Sequence, residues 1–177
     1  MSKFAALALA RVVAVHGRHC VVESPEGVRT ICHPRGKKSD CVVGDWVRWQ
    51  PAGDEGVIEH IEPRRNLMHR QDEWKTKSFA ANLDAVLVIV AADPPFSEAQ
   101  LARALIAAES AGIAADVLLN KCDLPQAAAA RDRLAPYRAM GVPVHEVAMK
   151  ASPDAARAVL APLLAGRTTL VLGPSGM

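Results

Sequence analysis

The sequence lacks a strong excess of charge of either sign. Its 177 residues include 21 Lys and Arg and 19 Asp and Glu, for a formal net charge of +2. This balance excludes a protein that is basic throughout and coats nucleic acid, although it leaves room for a local basic patch. Half of the residues are apolar and 23% are charged, which is typical of a globular protein of one or two domains.

Long hydrophobic runs are also missing. The longest strongly apolar run, residues 85–92, lies between Asp84 and Asp93 and is much shorter than the ~20 residues of a membrane-spanning helix. The first ten residues resemble a short secretory signal, but Arg11 follows them at once. We therefore expect no membrane segment, a cytoplasmic location and a first strand near the start of the chain.

The four cysteines include no Cys-x-x-Cys pair. A zinc cluster can be drawn from Cys20, Cys32, Cys41 and Cys122 together with His16, His19 and His33, but the spacings match no common structural zinc site. We expect reduced thiols packed in β-structure, and no metal site in this chain.

Alanine is distributed unevenly, with 6 residues in 1–79 and 26 in 80–177. The shift predicts a first domain over residues 1–70, a linker over 71–82 and a second domain over 83–177. The first domain has about five short β-rich runs separated by turn residues, which favours a small barrel of the OB-fold type.

Basic side chains cluster in two loops of this predicted barrel. Residues 1–70 carry 11 basic and 8 acidic side chains, and loops of this kind can follow a phosphate backbone. The alternative is a solvated surface that happens to be basic. The candidate RNA-binding residues are Arg35, Lys37, Lys38, Arg64 and Arg65.

The second domain alternates predicted strands and helices. An unbroken apolar run over 85–90 is typical of a strand buried on both faces of a parallel sheet, and Ser97 with Gln100 predicts a capped helix after it. Pro125 is expected to open a second helix, and Pro162 to kink or shorten a third. The order β-α-β-α-β-α-β predicts an open parallel α/β sheet.

Polar residues follow three of these strands, where ligands of such sheets bind. The strongest pattern is Asn120, Lys121, Cys122 and Asp123. A carboxylate at Asp123 could accept two hydrogen bonds from the edge of guanine, a donor pair that adenine does not offer. Lys121 could lie over the base and Asn120 could tie the loop to its neighbours. The alternative is an ordinary polar turn before a helix.

Two weaker patterns follow the next strands. Ala148, Met149 and Lys150 could offer a backbone N–H to the guanine O6, or form an ordinary loop. Gly173, Pro174, Ser175, Gly176 and Met177 fit the first five positions of the phosphate-binding pattern Gly-x-x-x-x-Gly-Lys-Ser/Thr, and otherwise form a simple turn. The remaining positions of that pattern would follow Met177.

The order of these patterns resembles one family. A β-barrel, then the guanine motif, then the phosphate loop is similar to the circularly permuted ribosome small-subunit-dependent GTPase A family, RsgA or YjeQ. The resemblance implies an OB-fold-like barrel followed by the first part of a circularly permuted P-loop GTPase domain. It also implies GTP or GDP binding at the three patterns, hydrolysis of GTP, and a role with the 30S subunit and its 16S rRNA in late maturation.

The resemblance places the remaining machinery after Met177, so no catalytic residue is assigned. Mg²⁺ and a structural Zn²⁺ are expected for the full-length protein alone, and the protein is expected to be a monomer. We expect residues 1–177 by themselves neither to hydrolyse GTP nor to bind it tightly. The rival hypothesis is a non-catalytic RNA-binding module whose α/β part is an interaction scaffold.

Overall fold

A computed structural model describes residues 3–36, 40–72 and 75–176, with the backbone alone for 70–72 and 75–76. The chain divides into two compact units, Met1–Asn82 and Leu83–Met177. Three of the predicted site residues, Lys37, Lys38 and Met177, lie outside the described residues.

The described residues form eleven strands and three helices. The strands are β1 Ala8–His16, β2 His19–Glu23, β3 Arg29–Pro34, β4 Trp46–Ala52, β5 Glu55–Ile61, β6 Leu67–Asp72, β7 Lys75–Ala81, β8 Ala85–Ala91, β9 Ala114–Asn120, β10 Val144–Glu146 and β11 Thr169–Leu172; the helices are α1 Glu98–Ser110, α2 Ala127–Ala139 and α3 Pro153–Leu164.

The first unit contains a closed five-stranded barrel in the order β1-β2-β3-β5-β4, which confirms the OB-fold-like prediction. β1 closes the barrel on β4, and the β3–β5 pair is parallel. Alternate side chains point inward, since the side chains of a strand alternate between its faces. The barrel core consists of Ala10, Val12, Cys20, Val22, Cys32, Cys41, Val47 and Ile58, with Trp49 and Ile61 packed against it.

The segment expected as a linker, residues 71–82, holds the end of β6 and all of β7. These two strands pair antiparallel, and Ala81 donates from its N–H to the carbonyl of Val43 at 2.9 Å. Met68 and Ala80 are both buried. Strand pairing satisfies the backbone of this polar segment, while side-chain packing is needed at only a few positions.

The backbone of Gly44, in the turn before β4, lies tightly against the backbone of Ala81. Gly44 has φ of +93°, and a Cβ there would lie 2.1 Å from the carbonyl oxygen of Ala81. Its N–H donates to Val12 and its carbonyl accepts from the Asn82 amide at 2.9 Å. A side chain is excluded at this position by both backbone conformation and space.

The second unit contains a four-stranded parallel sheet, as predicted, and its strand order is β10-β9-β8-β11. β8 pairs on both sides, and Val86, Leu87, Val88 and Val90 are buried. This explains why its sequence is apolar throughout rather than alternating. Leu87 and Leu118 pack with Val147 and Ala156 in one core cluster.

The start of α2 differs from the prediction. α2 begins at Ala127, so Pro125 lies in the turn before it rather than at the first helical position. α3 ends at Leu164, two residues past Pro162. The Ser97 side chain accepts from Gln100 at the start of α1, as expected. Among the described residues, no helix is both long enough and apolar enough to span a membrane.

Candidate functional site

The candidate site lies where the four parallel strands of the second unit end. Because the strands are parallel, the loops after β8, β9, β10 and β11 leave the sheet at one edge. All three polar patterns predicted from the sequence belong to these loops.

Asn120 links the loop after β9 to the loop after β10. Its side chain is nearly buried, and its Oδ1 accepts a hydrogen bond from the Met149 N–H at 3.0 Å. The Cys122 N–H donates to the Val147 carbonyl at 3.1 Å, which adds a second bond between the same loops. The tie predicted for Asn120 is therefore present in the described geometry.

Lys121 joins the other two loops. Its Nζ donates to the carbonyl of Asp93 at 2.6 Å and to that of Gly176 at 2.9 Å. Its φ of +61° turns the chain sharply after β9. Asp93, which follows β8, was not singled out from the sequence, although its position after a buried strand at this edge was a usable signal.

Asp123 differs from its neighbours because its carboxylate is not used internally. The residue is exposed and makes no hydrogen bond or ion pair with the part of the chain that the structure describes. A fixed loop thus carries a free carboxylate, which can accept two donors from a ligand edge.

Cys122 is packed behind the loop rather than presented to a ligand. Its thiol donates to the Leu119 carbonyl at 3.2 Å. Partial burial raises the pKa of the Cys122 thiol, and the nearby Glu146 carboxylate raises it further. A raised pKa favours the neutral thiol, which argues against a nucleophilic role.

The remaining predicted residues of the site line its rim. Ala148 and Met149 are half-buried and Lys150 is exposed, while Gly173, Pro174, Ser175 and Gly176 are all exposed. Gly173 passes close to β8, since a Cβ there would lie 3.0 Å from the Ile89 carbonyl oxygen. Gly176 has φ of +82°, and its carbonyl is held by Lys121.

The predicted RNA-binding arginines of the barrel have different surroundings. Arg35 is exposed and pairs with Glu59. Arg65 is exposed, and its guanidinium donates to the Asn82 carbonyl at 3.1 Å. Arg64 is largely buried and binds both oxygens of Asp45, at 2.7 and 2.9 Å. This geometry gives Arg64 an internal role and argues against its use as an RNA contact.

The described residues bring together no group of three or more His, Cys, Asp or Glu side chains that could hold a metal ion. The histidines near the barrel cysteines contact each other as rings, His16 with His19 at 5.4 Å and His19 with His33 at 6.1 Å. Cys20 and Cys32 instead face the barrel core. No described residue is assigned here to a metal.

A comparison with known families decides the relationship. The family model described as RsgA GTPase matches residues 61–177, more than half of the chain. The chain belongs to the RsgA GTPase family. The resemblance inferred from motif order is thereby confirmed.

Curated relatives of this RsgA-family chain support the assignment. It is 61% identical over 166 residues to the small ribosomal subunit biogenesis GTPase RsgA of Variovorax paradoxus, covering 93% of this chain and 52% of the relative. It is 52% identical over 170 residues to the protein of that name from Burkholderia pseudomallei, covering 94% of this chain and 54% of the relative. The chain spans about half the length of the curated relatives it matches.

Solved structures show the same fold as this RsgA-family chain. YjeQ from Thermotoga maritima superposes with a TM-score of 0.71 and 26% identity, over 96% of this chain and 61% of YjeQ. YloQ, described as a circularly permuted GTPase, superposes with a TM-score of 0.68 and 23% identity, over 99% of this chain and 63% of YloQ. The predicted barrel followed by a circularly permuted GTPase sheet is confirmed.

Proposed function

We propose that this protein is a cytoplasmic GTP-binding and GTP-hydrolysing factor that acts in late maturation of the small (30S) ribosomal subunit. The names of its curated relatives support the biological role. One geometric observation carries the nucleotide assignment. Asn120 and Lys121 tie together the four loops at one sheet edge while Asp123 is left unpaired among the described residues.

This arrangement suits recognition of guanine by Asp123. The carboxylate would accept hydrogen bonds from N1–H and from the exocyclic amino group, and adenine would leave it unpaired. The stem of Lys121 would lie over the base, and the loop of Ala148, Met149 and Lys150 would offer an N–H to O6. Asn120 contributes by fixing both loops before the base arrives, so that ordering them costs little on binding.

The phosphates would bind at the loop that follows β11. Gly173 to Met177 would begin this loop, with backbone N–H groups directed at the phosphates. Lys121 supports the proposal because its hydrogen bond to the Gly176 carbonyl ties this loop to the loop that carries Asp123. No residue of the chain is assigned to hydrolysis, to Mg²⁺ or to Zn²⁺, which remain expectations for the full-length protein.

The substitution Asp123→Asn in the full-length protein tests the guanine assignment. We expect GTP binding to weaken by about 100-fold or more and xanthosine triphosphate binding to improve, since xanthine replaces the amino donor by an acceptor. The melting temperature should stay unchanged because the carboxylate is exposed and unpaired within the described part of the chain. Nucleotide affinities are measured by isothermal titration calorimetry.

A matched control is Asp132→Asn, which removes an exposed carboxylate from α2, outside the four loops. Asp132→Asn should leave the affinities for GTP and for xanthosine triphosphate unaltered. If Asp123→Asn still preferred GTP over xanthosine triphosphate as the wild type does, the role of Asp123 would be contradicted. Absence of guanine-nucleotide binding by the wild-type protein would favour the non-catalytic RNA-binding module instead.

We also propose that the barrel contacts 16S rRNA of the 30S subunit through Arg35, Lys37, Lys38 and Arg65. The exposure of Arg35 and Arg65 supports this set, and the buried pair with Asp45 removes Arg64 from it. Neutralising Lys37, Lys38 and Arg65 together should weaken binding to 30S particles. The log–log salt slope should fall by about one for each phosphate that the variant no longer neutralises. Arg157→Gln, an exposed charge on α3, is the control, and equal salt slopes in all variants would contradict the proposal.

A further inference from the structure

Two arginines of α2 hold one carboxylate at the end of β10. Glu146 Oε2 accepts from Arg131 Nε at 2.8 Å, and Oε1 accepts from Arg138 Nη2 at 2.8 Å. The two arginines are seven residues apart, which places them on one face of the helix two turns apart. Arg138 also donates to the Val144 carbonyl at 3.2 Å, so both ends of the short strand are tied to α2.

This clamp, defined as Arg131, Glu146 and Arg138, lies next to both candidate guanine loops. Glu146 directly precedes Val147, whose N–H donates to the Leu119 carbonyl at 2.9 Å and whose carbonyl accepts from Cys122 at 3.1 Å. Displacing Glu146 would therefore shift the strand end that supports the loop carrying Asp123.

α2 is also held through Arg133, which donates to Glu98 at 2.9 Å and to the Phe96 carbonyl at 2.7 Å, but these contacts lie away from the guanine loops. Its N-cap residue Gln126 makes no side-chain capping bond, and the helix buries only Ala127, Ala130 and Leu134. The first turn of α2 follows Asp123 after three residues, so the position of the helix sets where that carboxylate stands. The clamp supplies two charge-assisted hydrogen bonds between this helix and the sheet.

We propose that Glu146, through Arg131 and Arg138, is a positioning residue for guanine recognition. It holds α2 against the end of β10 so that the loop of Asn120 to Asp123 and the loop of Ala148 to Lys150 keep their spacing. The inference rests on the proposed guanine-nucleotide function and assigns to this site a determinant that does not itself touch the base.

The test is Glu146→Gln in the full-length protein, titrated with GDP and with inosine diphosphate, which lacks the exocyclic amino group. We expect GDP binding to weaken about three- to tenfold. Inosine diphosphate should be affected less because it cannot make the full contact with Asp123. Arg131→Gln should have the same effect, and the double variant should be no weaker than the poorer single one.

Glu98→Gln is the matched control, because it breaks the Arg133–Glu98 pair, which joins α2 to α1 at 2.9 Å outside the guanine loops. It should leave the ratio of the two affinities unchanged. Melting curves of all variants report their folding.

The outcomes separate the two proposals. Wild-type protein that fails to prefer GDP over inosine diphosphate would contradict the proposed function itself. Wild-type preference that survives intact in Glu146→Gln would overturn the inference alone. A parallel loss of both nucleotides in Glu146→Gln would also overturn it, because that result indicates a general structural role.

Discussion

Asn120 Oδ1 accepts a hydrogen bond from the backbone N–H of Met149 at 3.0 Å, and Asn120 itself is only 5% exposed. The bond joins the ends of two adjacent parallel strands through one side chain. A buried donor that loses its acceptor keeps its desolvation cost, so this contact is expected to affect stability as well as ligand binding.

We predict that Asn120→Ala lowers the free energy of unfolding of the second unit by about 1–3 kcal/mol, because the Met149 N–H is left without its acceptor. Urea denaturation followed by circular dichroism measures the change. Gln126→Ala, at an exposed position without a side-chain capping bond, should cost less than about 0.5 kcal/mol. Equal stabilities of the two variants would contradict the role given to Asn120.

Lys121 provides a prediction about local order rather than global stability. Its ammonium group holds the carbonyls of Asp93 and Gly176, both on exposed loops. Lys121→Met should therefore speed amide hydrogen exchange in residues 92–96 and 173–176, while global unfolding changes by less than about 1 kcal/mol. Lys150→Met is the control, because Lys150 is exposed and has no partner among the described residues. Unaltered exchange in Lys121→Met would show that these loops are held by other contacts.

The strand ends of the second unit could be predicted from sequence because each combines an apolar run with polar residues at its end. β8 is the clearest example, since burial on both faces leaves an unbroken apolar signal, and β9 shows the same signal over residues 117–119. The hairpin of β6 and β7 could not be predicted in this way. Its stability depends on backbone pairing and, among the described residues, on the buried side chains of Met68, Ala80 and Ala81 within a polar segment.

The roles of the charged residues were harder to predict. Arg64 and Arg65 are adjacent and identical in type, yet one binds a buried carboxylate and the other is exposed. Asp45 lies 19 residues before Arg64, and only the closed barrel brings them together. Asp93 and Glu146 were missed for the same reason, because their partners come from other elements of the sheet edge.

The barrel core provides a pH-dependent prediction. Burial raises the pKa of the Cys32 thiol from 9.0 to about 11. The unfolded chain therefore loses this proton at a lower pH than the folded chain does, so stability falls as pH rises from 9 towards 11. The contribution of Cys32 to the free energy of unfolding is fully present below pH 9. By about pH 11 its loss amounts to up to about 3 kcal/mol.

Trp46 and Trp49 lie on β4 of the barrel and no tryptophan follows residue 82 in the sequence, so tryptophan fluorescence under reducing conditions reports the unfolding of the first unit. The free energy of unfolding should fall less steeply above pH 9 in Cys32→Ala than in the wild type. In Cys32→Ala the free energy of unfolding should still fall somewhat as pH rises, because a hydrogen bond to Cys41 and burial also raise the pKa of the Cys20 thiol. Parallel pH profiles of wild type and variant would contradict the assignment to Cys32.

The last prediction concerns the pair of Asp45 and Arg64. Asp45 is fully buried and accepts from the Val42 N–H at 2.9 Å as well as from two nitrogens of Arg64. The hydrogen bonds to Asp45 raise the pKa of Arg64. Removing Arg64 would leave a buried charge without its cation, and such losses cost about 3–5 kcal/mol.

We predict that Arg64→Ala destabilises the barrel by about 3–5 kcal/mol, measured by urea unfolding with tryptophan fluorescence. Arg64→Lys should recover only part of the loss because lysine cannot bind both carboxylate oxygens in the same fork. The double variant Asp45→Asn, Arg64→Ala should be less destabilised than the sum of the single changes. Arg29→Ala, which removes an exposed pair with Glu23, should cost less than about 1 kcal/mol. If Arg64→Ala kept full barrel stability and weakened binding to 30S particles, Arg64 would belong to the RNA-binding surface after all.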